Sequence, residues 1–84
     1  MTQAQFKLLY FAQVAELLDK RSESRPARAD LTVGQLLDEL CAEYSQLAPL
    51  KSRLQVAVNQ QHAQANDPIT AQDEVAIFEP VTGG

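Results

Sequence analysis

Gln5–Phe11 reads QFKLLYF. In an extended chain, side chains alternate between two faces. Phe6, Leu8 and Tyr10 therefore share one face, and Lys7, Leu9 and Phe11 share the other. One face is wholly apolar and the other largely so, as in a strand buried on both sides. Asp73–Glu79, DEVAIFE, alternates too, setting Val75 and Ile77 against Ala76 and Phe78. The two most apolar strands are thus the first and the last. A parallel central pair packed on a helix accounts for both, and predicts an α+β domain whose mixed sheet is covered on one face by the main helix.

Working outward, AQVAELLD (residues 12–19) follows the first strand directly. Val14, Leu17 and Leu18 stand at i, i+3 and i+4, which predicts a short helix. Residues 20–26 read as a polar loop ending at Pro26, and ARADL (residues 27–31) as a short second strand. Thr32 opens the main helix. Thr32 and Gln35 have capping-box spacing, each side chain able to satisfy the other's backbone N–H. Leu36, Leu37, Leu40, Cys41 and Tyr44 make an apolar stripe, with Asp38, Glu39 and Glu43 on the solvated side. Gly34 costs a little in the first turn, and Pro49 bars the helix from running further. Leu54, Val56 and Val58 predict a strand over residues 53–60, and Asn66–Pro68 a turn. The order is strand, short helix, short strand, long helix, strand, short strand, strand. This is the β-grasp, or ubiquitin-like, layout over residues 1–79, followed by an extended tail over residues 80–84.

Eighty-four residues make one domain, which buries about 60% of its unfolded surface. A net charge of −4 argues against nucleic acid as a partner, because a phosphate backbone calls for a basic patch. It suits docking onto basic protein surfaces. Cys41 is the single cysteine, so there is no internal disulfide and no thiolate set for an iron–sulfur cluster. His62 is the single histidine and has no co-ligands, so no metal site is expected. No apolar run is long enough to span a membrane, and residues 1–18 lack a basic n-region and cleavage site. A cytoplasmic protein is the expectation.

The sequence closes on PVTGG, Pro80–Gly84. Proline lacks the N–H to continue a ladder, and five extended residues reach roughly 17 Å. Without Cβ atoms, Gly83 and Gly84 can thread a narrow channel. One reading is a frayed end. The other is that the terminal carboxylate is the working group. A carboxylate is a poor acyl donor until ATP converts it to an acyl-adenylate, from which AMP leaves readily. Sulfur attack then gives a thiocarboxylate. The chain has no GxxxxGK[ST] loop, so the nucleotide site would lie on a partner.

Three blocks carry a family resemblance: YFAQVAEL (residues 10–17), VAVNQ (residues 56–60) and DEVAIFEPVTGG (residues 73–84). In order and spacing the chain resembles the small subunits of molybdopterin synthase, the sulfur carriers of molybdenum-cofactor synthesis. The resemblance covers nearly the whole chain. It implies that an E1-like enzyme adenylates Gly84 with ATP and that a sulfur donor protein converts it to the thiocarboxylate. Pro80, Val81, Thr82, Gly83 and Gly84 would then enter the large synthase subunit, where sulfur passes to cyclic pyranopterin monophosphate. The chain would bind no cofactor and catalyse nothing by itself, forming half of a heterotetramer. Phe11 and Phe78 match partner-contacting positions on the exposed sheet face, and His62, which falls where the family often has an apolar residue, is expected at the partner interface with them. Two departures stand out. Ala15 replaces an arginine, and residues 47–53, LAPLKSR, lack an acidic-glycine turn. The Gly-Gly end is shared with thiazole sulfur carriers and ubiquitin-like modifiers, so beside the molybdopterin carrier a carrier for another product or a protein modifier is the second class of function. A non-reactive interaction module is the third class.

Overall fold

In the computed structural model, which describes residues 4–80, the first and last strands run parallel at the centre of a five-stranded sheet. β1 (Gln5–Tyr10) pairs with β5 (Glu74–Phe78), Leu8 opposite Val75 and Tyr10 opposite Ile77. β2 (Ser22–Pro26) flanks β1, β3 (Gln55–Val58) flanks β5, and β4 (Gln61–Ala63) closes the far edge, all antiparallel to their neighbours. The order is β2-β1-β5-β3-β4, the expected β-grasp with the two apolar strands in the middle.

One sheet face carries the core. Phe6, Leu8, Tyr10, Val56, Val75 and Ile77 all point inward and are buried. Leu36, Leu40 and Cys41 cover them from α2 (Val33–Glu43), and Val14 and Leu18 from α1 (Ala12–Leu18). A fully buried side chain of this size contributes about 1.5–3 kcal/mol. Exposed ion pairs such as Arg28–Glu39 contribute about 0–1 kcal/mol each, so burial sets the fold. The Thr32–Gln35 capping box forms in both directions. Gly34 has a packing reason: an added Cβ would lie 3.3 Å from both the Cβ and the carbonyl oxygen of Ala65.

Three expectations are corrected. Leu17 faces out at 36% exposure, because α1 sets Val14 and Leu18 inward and has no second layer outside. Pro49 lies within a 3₁₀ segment (Ser45–Arg53) that follows α2 and buries Leu47 and Leu50; α2 had already ended at Glu43. The second strand is residues 22–26, inside the stretch read as a loop, and residues 27–31 are not a strand. Its inward positions are Glu23 and Arg25, so it has no apolar alternation to detect. Pro26 and the charges protect this exposed edge from further pairing.

Those two charges build a polar layer between the sheet and α2. Glu23 Oε2 accepts from Tyr10 Oη at 2.5 Å and Tyr44 Oη at 2.9 Å. Lys20 Nζ donates to the Tyr44 hydroxyl at 2.9 Å. Arg25 lies 3.4 Å from Glu23 and 2.7 Å from Glu43. Burial first, then the hydrogen bond to Glu23, raises the Tyr10 phenol far above its usual range. Burial also pushes the Glu23 carboxyl up, but Tyr10, Tyr44, Arg25 and Lys20 together outweigh it and hold that carboxyl below its ordinary value. A carboxyl lowered in the folded state stabilises fully above its unfolded pKa, about 4.3, and loses that contribution as pH falls through the folded value. Urea midpoints should therefore drop below about pH 5. A Glu23→Gln variant, weaker at neutral pH, should lose less over that interval. Asp73, held low chiefly by the Thr70 backbone N–H, titrates alike in both proteins. Parallel pH curves would rule Glu23 out as the acid-sensitive group.

Candidate functional site

The sheet face away from the helices is laid out by register. Outward positions are Lys7 and Leu9 on β1, Glu74, Ala76 and Phe78 on β5, Gln55 and Ala57 on β3, and His62 on β4, because their neighbours point into the core. Leu9, Ala76, Ala57 and His62 form one transverse row. The next row pairs Phe78 with Gln55. Phe11 extends the parallel pairing past β1, its N–H donating to the Ile77 carbonyl at 3.2 Å, which sets it beside Phe78 in register.

The expected contact residues Phe11, Phe78 and His62 therefore share one face. Phe11 is 48% exposed, Phe78 is half-buried, and His62 is exposed and hydrogen-bonded through Nε2 to Gln55 Oε1. Ala57 and Ala76 keep the ground between them low. The patch has aromatic rims and a small-residue floor. It can bury apolar area against a partner while His62 and Gln55 supply polar contacts at the side. Beside Phe11 opens a groove of about 810 Å³, lined by Leu9, Ala12, Ala15, Glu16 and Lys20 among others. Ala15, noted from the sequence as a departure from the family's arginine, is one of its lining residues.

The root of the tail lies at the same end of β5. The ladder stops at Phe78–Gln55. Glu79 turns inward, and its Oε2 lies 3.2 Å from Arg53 Nε. Pro80 is the last described residue of the tail. Val81, Thr82, Gly83 and Gly84, named as tail positions from the sequence, lie outside the described residues. Among the described residues, no group of three or more His, Cys, Asp or Glu could hold a metal ion, and no helix is long and apolar enough to cross a membrane. Burial pushes the Cys41 thiol up, which makes it a poor nucleophile.

The model of the ThiS family matches residues 8–84, from β1 through the Gly-Gly end. The chain belongs to the ThiS family. It is 41% identical over 81 residues to the molybdopterin synthase sulfur carrier subunit of Escherichia coli, covering 93% of this chain and 98% of that one. It is 30% identical over 83 residues to the human protein of the same name, covering 95% and 94%. Among solved structures it is similar to the small archaeal modifier protein 1 of Haloferax volcanii, with a TM-score of 0.78 and 29% identity over 93% of this chain and 99% of that one.

Three features of this ThiS-family chain escaped sequence reasoning. The groove beside Ala15 is lined jointly by the end of β1, by α1 and by residues 19–22, which no local pattern brings together. Gln55 meets His62 only once β3 and β4 pair. Glu79 and Arg53 are 26 positions apart in the sequence, counted from their residue numbers, and no local pattern joins them.

Proposed function

We propose that this chain is the sulfur carrier subunit of a molybdopterin synthase and that Gly84 is its working residue. The observation that carries this is the family match that extends to residue 84, together with 41% identity to a carrier of that name along nearly its whole length. An E1-like enzyme binds ATP and brings it to the Gly84 carboxylate. The carboxylate attacks the α-phosphate, pyrophosphate leaves, and an acyl-adenylate forms. Sulfur from a donor protein displaces AMP, leaving a thiocarboxylate. The tail, Pro80–Gly84, then enters the large synthase subunit and gives its sulfur to cyclic pyranopterin monophosphate. Two carriers and two large subunits make a heterotetramer in which this chain is a reactant arm and the large subunit holds the catalytic groups. The chain itself holds no cofactor. The chemistry draws on the ATP and sulfur donors of the cytoplasm, and the reading puts the protein there.

The face bearing Phe11, Phe78 and His62 is the docking surface in this reading. Its position at the end of β5 that leads into the tail supports that role, because a docked sheet would deliver the tail at a fixed place. A second reading, ligation of Gly84 to lysine amines, is favoured by the similarity to an archaeal modifier. Intact mass separates the two. After incubation with the adenylating enzyme, ATP and a sulfur source, the fragment ending at Gly84 should exchange one oxygen for sulfur, and that group should alkylate. An unmodified tail, with a known carrier reacting alongside, would overturn the carrier reading. Conjugates on lysine without thiocarboxylate would favour the second.

A further inference from the structure

Glu79 is a departure point with an unusual environment. Its side chain is 17% exposed, while that of Arg53 is 63% exposed. Oε2 is buried and accepts no hydrogen bond, so the Arg53 Nε at 3.2 Å is close enough for ion pairing but not aligned for a hydrogen bond. Continuing the β3–β5 register by one step sets Glu79 opposite the buried Leu54. The carboxylate therefore sits at the margin of the core, where attraction to Arg53 is less screened than on open surface. Among the described residues, no backbone hydrogen bond holds Glu79 or Pro80 once the ladder has ended. The ion pair is the tie seen between this root and the body.

Proline adds the geometric consequence. Pro80 fixes its own φ, and confines Glu79 to extended backbone. Holding the Glu79 side chain thus sets the direction in which Pro80 leaves the sheet. We propose that the Arg53–Glu79 pair is a latch on the tail root and that Glu79 is a positioning residue for tail entry into the partner. This rests on the tail having the role given under Proposed function. A held root fixes the direction in which Pro80 leaves the sheet before docking. Once docked, the partner holds the tail, and the latch has nothing further to add. Its loss should therefore act on the concentration of carrier needed, not on the saturated rate.

Two readouts test it, using the whole chain. The first is 15N relaxation of the free protein. The Glu79 amide should be rigid in the wild type, with an order parameter of about 0.85, and fall below about 0.7 in Glu79→Ala and in Arg53→Ala, while Val75 and Ile77 stay unchanged. The second is sulfur transfer from thiocarboxylated carrier with the large subunit and its pterin substrate. Either substitution should raise the KM for carrier about three- to fivefold, the range open to a partly exposed pair. Maximal rate and melting temperature should hold. Glu79→Ala in the Arg53→Ala background should add nothing, because each removes the same interaction. An unchanged Glu79 order parameter in both single variants overturns the latch, as do single effects that add in the double variant. Should the wild-type chain transfer no sulfur, the carrier reading falls, and the relaxation data still decide the latch.

Discussion

A chain lacking Gly84 should transfer no measurable sulfur and melt at the temperature of the wild type. The separation of these two results follows from where the stabilising residues lie. Among the described residues, the last fully buried side chain is Ile77, and the last ladder pair is Phe78–Gln55. Residue 84 is not among the residues of that described core, ladder or set of ion pairs. The truncated chain still ends in a carboxylate, so charge is not what is lost. What is lost is reach, by one residue or about 3.5 Å. Misplacing a reacting group by about 1 Å can cost on the order of a hundredfold in rate, and this displacement is larger. Transfer should fall by at least about a hundredfold, whether the step read is adenylation or sulfur release. Gly84→Ala keeps the reach and adds a Cβ, so it should fall between the wild type and the deletion, by an amount that reports how narrow the partner's channel is. Single-turnover sulfur transfer and a thermal melt on the same preparations make the check. A truncated chain that still transfers sulfur would remove Gly84 from the mechanism.

Phe78→Arg should weaken binding to the large subunit by at least about thirtyfold, the effect of losing one aromatic anchor worth about 2 kcal/mol or more. Phe78 stands on the outward face, beside Phe11 in register and opposite Gln55, so the change removes apolar contact from the aromatic rim of the patch. The arginine side chain also brings a positive charge. A chain of net charge −4 suits a basic partner, and a new cation on the rim adds repulsion to the lost contact. Stability should change little, because Val75 and Ile77 hold β5 in the core from the other face. Phe11→Arg should act in the same direction, and His62→Ala less, since His62 lies at the side of the patch and spends its Nε2 on Gln55. Titration calorimetry with the purified large subunit gives the affinities directly. Unchanged affinity in both phenylalanine variants would move the docking surface elsewhere, with the groove beside Ala15 the next face to test.

The sequence determined what depends on local period and local chemistry. QFKLLYF and DEVAIFE repeat every second residue with apolar character on both faces, and that places two strands in the centre. The Thr32–Gln35 cap acts over three positions, so it was legible and forms. The resemblance in three blocks led to the carrier family, and the tail it singled out is the part the body does not explain. Tertiary structure decided the rest. Residues 22–26 form a strand because Tyr10 and Tyr44 give Glu23 its hydrogen bonds and Glu43 gives Arg25 its partner. Hydropathy reads those residues as a loop, since the energy resides in pairs 13 to 21 positions apart. Pro49 sits inside a 3₁₀ segment because Leu47 and Leu50 need the core. Glu79 meets Arg53 only after β5 and β3 have paired. Periodicity carries the apolar half of a fold, because burial acts on each residue separately. Charged contacts act between two residues at once, and the chain has to fold before the second one is there.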